Sequence, residues 1–98
     1  MNVAFLGMGR RSIGFMKTLC ATEGVEVVAG ADLWEAARQN AKQTCPDLET
    51  FEQPEDVFRQ HRDIDLAMVF SRDCDHEAFA LAAFANGADV FTEKPMAT

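Results

Sequence analysis

The first fourteen residues constrain this chain more than any other stretch. Val3-Ala4-Phe5-Leu6 is an apolar run that stops at Gly7, and Gly9 follows two positions later. A helical pattern begins within three residues, with Ile13, Met16, Leu19 and Cys20 recurring on one helix face. The order is strand, tight glycine turn, helix. It suits an anion, because the turn brings backbone close to a ligand and the amides that open the helix face it with the positive end of the dipole. Gly7 is expected to make the turn and Gly9 to leave room for a pyrophosphate. The candidate cofactor contacts here are Gly7, Met8, Gly9, Arg10, Arg11, Ser12 and Ile13. Ser12 stands where G-x-G-x-x-G carries its third glycine. Serine is small enough for close helix–strand packing but less permissive than Gly or Ala, and Gly14 lies two residues too late to substitute. Glycine turns without a ligand are common, so the rest of the chain must decide.

The rest alternates. Glu23-Gly24 is expected to close the first helix with a left-handed glycine. Val25 to Ala31 is a valine-rich run ending at Asp32, and Trp34, Ala37 and Ala41 form one face of a second helix, broken by Pro46-Asp47. Leu48-Glu49-Thr50-Phe51 alternates as an edge strand does, and Pro54-Glu55-Asp56 opens a short helix that Val57 and Phe58 would pin down. Leu66 to Phe70 is the most apolar run and so a central strand. Ser71 to Asp75 reads as a loop, His76 to Asn86 as a helix ended by Gly87, and Asp89 to Thr92 as a fifth strand. Strands alternating with helices predict a parallel sheet with right-handed crossovers. The expected fold is α/β, a doubly wound Rossmann-like sheet of order 3-2-1-4-5 that lacks its last strand, forming one domain over residues 1–98.

Composition narrows the partners. Nine basic against sixteen acidic residues give a net charge of −7, which argues against nucleic acid. No apolar run approaches a membrane span and the N-terminus lacks a signal-peptide pattern. Cys20, Cys45 and Cys74 are odd in number and far apart, suggesting neither a disulfide framework nor a metal site. Packing in a reducing, cytoplasmic compartment is the expectation for them.

Asp32 sharpens the reading. It lies 25 residues after Gly7, close to the roughly 20 expected between a glycine turn and a ribose-binding acid. A carboxylate there accepts hydrogen bonds from the adenosine ribose and repels a 2′-phosphate, favouring NAD over NADP; Arg10, Arg11 or Arg38 could still rescue the phosphate. The plainer role, a start signal for the second helix, is compatible with the first.

At this point the sequence resembles the N-terminal domain of the glucose-fructose oxidoreductase and inositol 2-dehydrogenase family (Gfo/Idh/MocA), over essentially residues 2 to 98. The residues that carry the likeness are Val3 to Gly9, Val25 to Asp32, Asp63 to Val69, Ser71 with His76, and above all Asp89-Val90-Phe91-Thr92-Glu93-Lys94-Pro95. The resemblance implies that Lys94 sits beside the nicotinamide ribose and the reacting carbon, as the catalytic residue. It would hydrogen-bond the substrate hydroxyl and stabilise charge as the alcohol loses its proton. Glu93 and Pro95 would position it, with a cis Lys94-Pro95 bond expected. In the loop after the fourth strand Ser71 and His76 match, Arg72 replaces a proline and Asp73 an asparagine. Ser71, Arg72 and His76 are carried over as cofactor contacts, and His76 is expected to cap or pack the loop. Cys74 has no visible activating base.

The resemblance implies an oxidoreductase that moves hydride between a nicotinamide cofactor and a sugar, inositol or related polyol. It also implies a second, substrate-binding domain that these 98 residues do not hold, so turnover by this stretch alone is not expected. The competing reading is a non-catalytic NAD- or nucleotide-binding module that assembles with a partner. An apolar fifth-strand edge would favour pairing with another copy. Another Rossmann reductase or a nucleotide sensor is the third reading.

Overall fold

The computed structural model of the chain describes residues 1–70, 83 and 85–92. Within them five strands form one sheet: β1 (Asn2–Leu6), β2 (Glu26–Ala31), β3 (Glu49–Phe51), β4 (Leu66–Val69) and β5 (Asp89–Thr92). Three helices complete the framework: α1 (Arg10–Cys20), α2 (Glu35–Thr44) and α3 (Pro54–Gln60). The strand order is β3-β2-β1-β4-β5 and every pairing is parallel. This is the doubly wound arrangement predicted from the alternation of runs.

Side-chain alternation along the strands builds two cores, one on each face. Val3, Phe5 and Met68 pack with Met16 of α1 and Ala41 of α2. Ala4, Leu6, Ala67 and Val69 point the other way, onto Val57 and Phe58 of α3 and onto Ala83. Right-handed crossovers require this split, because the chain moves one way from β1 to β3 and the other way from β3 to β5. The central strands are apolar on both faces because both are covered.

Polar groups fix the register where the core cannot. The Asn2 backbone N–H donates to Asp65 Oδ2 at 2.8 Å and the Asn2 side chain donates to Asp63 Oδ2 at 2.8 Å. Asp65 N–H donates in turn to the Asn2 carbonyl at 2.8 Å, and Asp89 N–H to the Asp65 carbonyl at 2.9 Å. One acid before β4 thus ties the starts of β1, β4 and β5.

Several local expectations are corrected. Helix α1 ends at Cys20, with Ala21 as its C-cap in a right-handed conformation. Gly24, at φ 84°, shapes the turn into β2 and does not cap the helix. The Thr18 and Thr22 hydroxyls donate to carbonyls four residues back, Gly14 O at 3.3 Å and Thr18 O at 2.7 Å, and so close the last turns early. Trp34 is not on the buried face of α2; it is the N-cap residue and is 67% exposed, while Ala41 is buried. Ala83 and Ala85 are helical and Gly87 (φ 80°) follows them, with Ala88 N–H reaching back to the Ala83 carbonyl at 3.1 Å. The rest of the expected helix from His76 lies outside the described residues.

The cysteines are the largest correction. Cys20, at the end of α1, and Cys45, the C-cap of α2, form a disulfide across a separation of 25 residues. They are not independent packing residues: α1 and α2 lie side by side on one face, which brings their C-terminal ends together. Spacing along the chain carried no sign of this, because the neighbourhood is made by the crossovers. Among the described residues no helix is long and apolar enough to cross a membrane.

Closing a loop of 25 residues is worth about 3.5 kcal/mol. A reductant, or the Cys20→Ser/Cys45→Ser pair, should therefore lower the melting temperature of the oxidised chain by roughly 15–30 °C. Calorimetry with and without dithiothreitol checks this; a double variant that still responds to the reductant would place the effect elsewhere.

Candidate functional site

The strands' C-terminal ends converge on the turn between β1 and α1. Gly7 has φ 97°, a conformation that glycine adopts without a Cβ penalty, and its N–H donates to the Ala31 carbonyl at 2.8 Å. Gly9 is the N-cap residue of α1; it brings no side chain to the cap, and the first turn carries no acidic residue. A Cβ placed on Gly9 would meet nothing within 4 Å. Among the described residues, then, nothing crowds the helix start, and no acidic side chain of its first turn offsets its positive end.

Ser12 resolves the departure from the glycine fingerprint. It is fully buried, and its hydroxyl donates to the Gly9 carbonyl at 2.8 Å. A small side chain with its own hydrogen bond satisfied fits where the third glycine is usual. Ile13 continues the helix, its N–H donating to the Gly9 carbonyl at 3.2 Å, and it is partly buried against the α1 core. Arg10 and Arg11 supply the backbone of the first turn.

Asp32 faces this turn. Its Oδ2 accepts the Met8 N–H at 2.8 Å and its Oδ1 accepts the Trp34 N–H at 2.9 Å. The first bond spans the mouth from β2 to the turn after β1; the second is the short-range bond that leads into α2. Both roles foreseen for this acid are thus met by one carboxylate. Asp32 N–H donates to the Phe51 carbonyl at 3.0 Å, and Arg38 Nη1 donates to the Asp32 carbonyl at 2.7 Å. Every backbone polar group of Asp32 is engaged, and its two carboxylate oxygens keep free lone pairs at half-buried positions.

Two further features shape the site and were not foreseen from the sequence: the packing of Met8, already a candidate contact, over Gly30, and the exposure of Trp34. Met8 is buried, and its side chain fills the space over Gly30, where an added Cβ would collide with Met8 Sδ. The signal was present: an isolated glycine inside an apolar strand marks a close approach. Trp34 is the other, left in solvent beside the acid. Ser71, Arg72, His76, Glu93, Lys94 and Pro95 lie outside the described residues, as does the expected cis bond. The structure thus brings together Gly7 to Ile13 with Asp32.

A groove of about 730 Å³ lies at the opposite edge of the sheet, where Cys20, Val25, Val27, Cys45, Glu49 and His61 line it. It is formed by strand beginnings and helix ends, far from the open helix start, and is not the candidate site. Its size reflects the shortness of β3, which leaves the lower half of β2 uncovered.

A glycine turn, an open helix start and an acid bonded across to the turn put the chain in the class of doubly wound Rossmann domains. It belongs to the Gfo/Idh/MocA family: the model of that family, described as an oxidoreductase family with an NAD-binding Rossmann fold, matches residues 1–98. An inositol 2-dehydrogenase of Burkholderia multivorans is 32% identical over 99% of this chain and 29% of its own length. A glycosyl hydrolase family 109 protein of Shewanella woodyi is 30% identical over 99% of the chain and 22% of its own. The structure of a myo-inositol dehydrogenase from Lactobacillus casei, in complex with NAD(H) and myo-inositol, superposes with a TM-score of 0.86 at 29% identity, covering 99% of this chain and 29% of that one. The chain thus spans less than a third of the length of these relatives.

The Met8–Gly30 contact makes a direct test. Gly30→Ala should overpack the turn and destabilise the chain by about 1–3 kcal/mol. The same change in a Met8→Ala background should cost less, with a coupling of about 0.5–3 kcal/mol in a denaturant double-mutant cycle. Strict additivity would mean that the two residues do not bear on one another.

Proposed function

We propose that this chain is the NAD-binding portion of an oxidoreductase that moves hydride between the nicotinamide and a hydroxyl-bearing carbon of an inositol, sugar or related polyol. The observation that carries the proposal is the Asp32 carboxylate held at 2.8 Å from the Met8 amide, beside the open start of α1. The amides from Gly9 to Ser12 bind the diphosphate with no competing side chain at the cap. Asp32 accepts the hydroxyls of the adenosine ribose on the lone pairs that its two backbone bonds leave free. Bound there, the cofactor accepts or returns a hydride.

Lys94, carried over from the family, is the proposed catalytic residue: it hydrogen-bonds the substrate hydroxyl and stabilises its developing negative charge. Glu93 and Pro95 orient it, and Ser71, Arg72 and His76 border the nicotinamide side. Residues that grip the polyol and exchange its proton are proposed to belong to the parts of such enzymes that these 98 residues do not span. By themselves these residues are expected to bind and not to turn over. The cytoplasm is the proposed location; there Cys20 and Cys45 would rest mostly as thiols, the disulfide being their oxidised form.

A second reading, a binding module that pairs with a partner, draws support from β5. Among the described residues no strand pairs with its outer edge, and Phe91 is 42% exposed. A homo-oligomer through this edge belongs to that reading.

Cofactor choice follows from charge. A carboxylate about 4 Å from a phosphate costs about 1 kcal/mol at the dielectric of water and about 4 kcal/mol at that of a protein surface. NADH should therefore bind on the order of tenfold or more tightly than NADPH. Asp32→Asn, which removes the charge and keeps an acceptor oxygen, should bring the two affinities within about threefold. Titrations followed by nicotinamide fluorescence measure both; binding of neither nucleotide by the unaltered chain would end the proposal.

A further inference from the structure

Trp34 is the single tryptophan of the chain, which has no tyrosine, and it stands 67% exposed. Leu33 beside it is 54% exposed. Most large apolar side chains among the described residues are drawn into the two cores; these adjacent two are left in water at one place, next to Asp32. The backbone that carries the indole is nevertheless fixed. Its N–H donates to Asp32 Oδ1 at 2.9 Å and its carbonyl accepts the Arg38 N–H at 3.1 Å, the first bond of α2. The Arg38 guanidinium is anchored on the Asp32 carbonyl at 2.7 Å. An exposed ring on a pinned backbone is a surface prepared for a flat partner, because little ordering entropy is left to lose.

The sheet order says what partner would reach it. The open helix start lies over β1 and the acid at the end of β2, so a ligand running from one to the other heads toward β3. The end of β3 is held alongside, with the Phe51 carbonyl accepting the Asp32 N–H at 3.0 Å. A base attached to a sugar at Asp32 would arrive between the start of α2 and the end of β3. We propose that Trp34 stacks on the purine base of the bound adenine nucleotide and sets the affinity of its adenosine half. The inference rests on the dinucleotide reading of the site. Stacking needs only a π-face, so the platform grips the base without reading its edge, and Asp32 supplies the orientation through the ribose.

Because Trp34 is the sole indole, its emission reports on this place alone. ADP-ribose should quench the emission of the purified chain saturably, whereas nicotinamide mononucleotide, which lacks the purine, should leave it unchanged at matched concentration. By calorimetry Trp34→Ala should weaken ADP-ribose on the order of tenfold, and Trp34→Phe should retain most of the affinity. The melting temperature of Trp34→Ala should stay near that of the unaltered chain, since the side chain is already in solvent. ADP-ribose binding with equal affinity to Trp34→Ala, without quenching in the unaltered chain, would overturn the stacking role and leave the dinucleotide site standing. No ADP-ribose binding by any of the three proteins would overturn both together.

Discussion

One hydrogen bond organises the functional end of this molecule: the Asp32 carboxylate accepting the Met8 amide at 2.8 Å. It joins the end of β2 to the turn after β1, the two places a dinucleotide has to bridge. It also settles an otherwise costly backbone donor in a half-buried turn. The remaining features of the mouth depend on it. Gly30 leaves the room in which the Met8 side chain lies over β2, beside the amide that faces the acid. Trp34 takes its position from the other oxygen of the same carboxylate. Removing the charge therefore disturbs recognition, and removing the oxygens disturbs the turn as well.

Much of this was readable in advance because it is local. Apolar runs produced β1, β2 and β4, and Pro54 followed by two acids marked the start of α3. The strand order followed from the doubly wound fold that alternating strands and helices and a glycine turn after β1 point to. Gly7, Gly9 and Asp32 announced themselves by type and spacing, and the family likeness rests on the same residues.

What escaped the sequence turns on single bonds, one between distant residues and two between near ones, that periodicity does not express. The Cys20–Cys45 bond exists because two crossover helices on one face finish side by side, a relation that spacing does not express. Ser12 looked like a defect in the glycine pattern, since residue type alone did not reveal that its hydroxyl would turn back to the Gly9 carbonyl. Trp34 fitted a helical stripe with Ala37 and Ala41, but the bond from its amide to Asp32 holds it just outside the helix, and the ring leaves the core. In each case a single hydrogen bond or covalent link decided between readings that periodicity treated as equal.

The sulfur bridge has a mechanical meaning beyond stability. It clamps α1 and α2 at their trailing ends and leaves their leading ends, which flank the ligand mouth, unlinked. Two rods fastened at one end can only splay, and the splay grows with distance from the fastening. At 1.5 Å per residue α1 is about 16 Å long, so a swing of about 5° shifts its first turn by about 1.4 Å. In the oxidised chain, then, any tilt between the two helices is smallest at the Cys20–Cys45 bond and largest at the turn that carries Gly7 and Gly9, and reduction removes that fixed point.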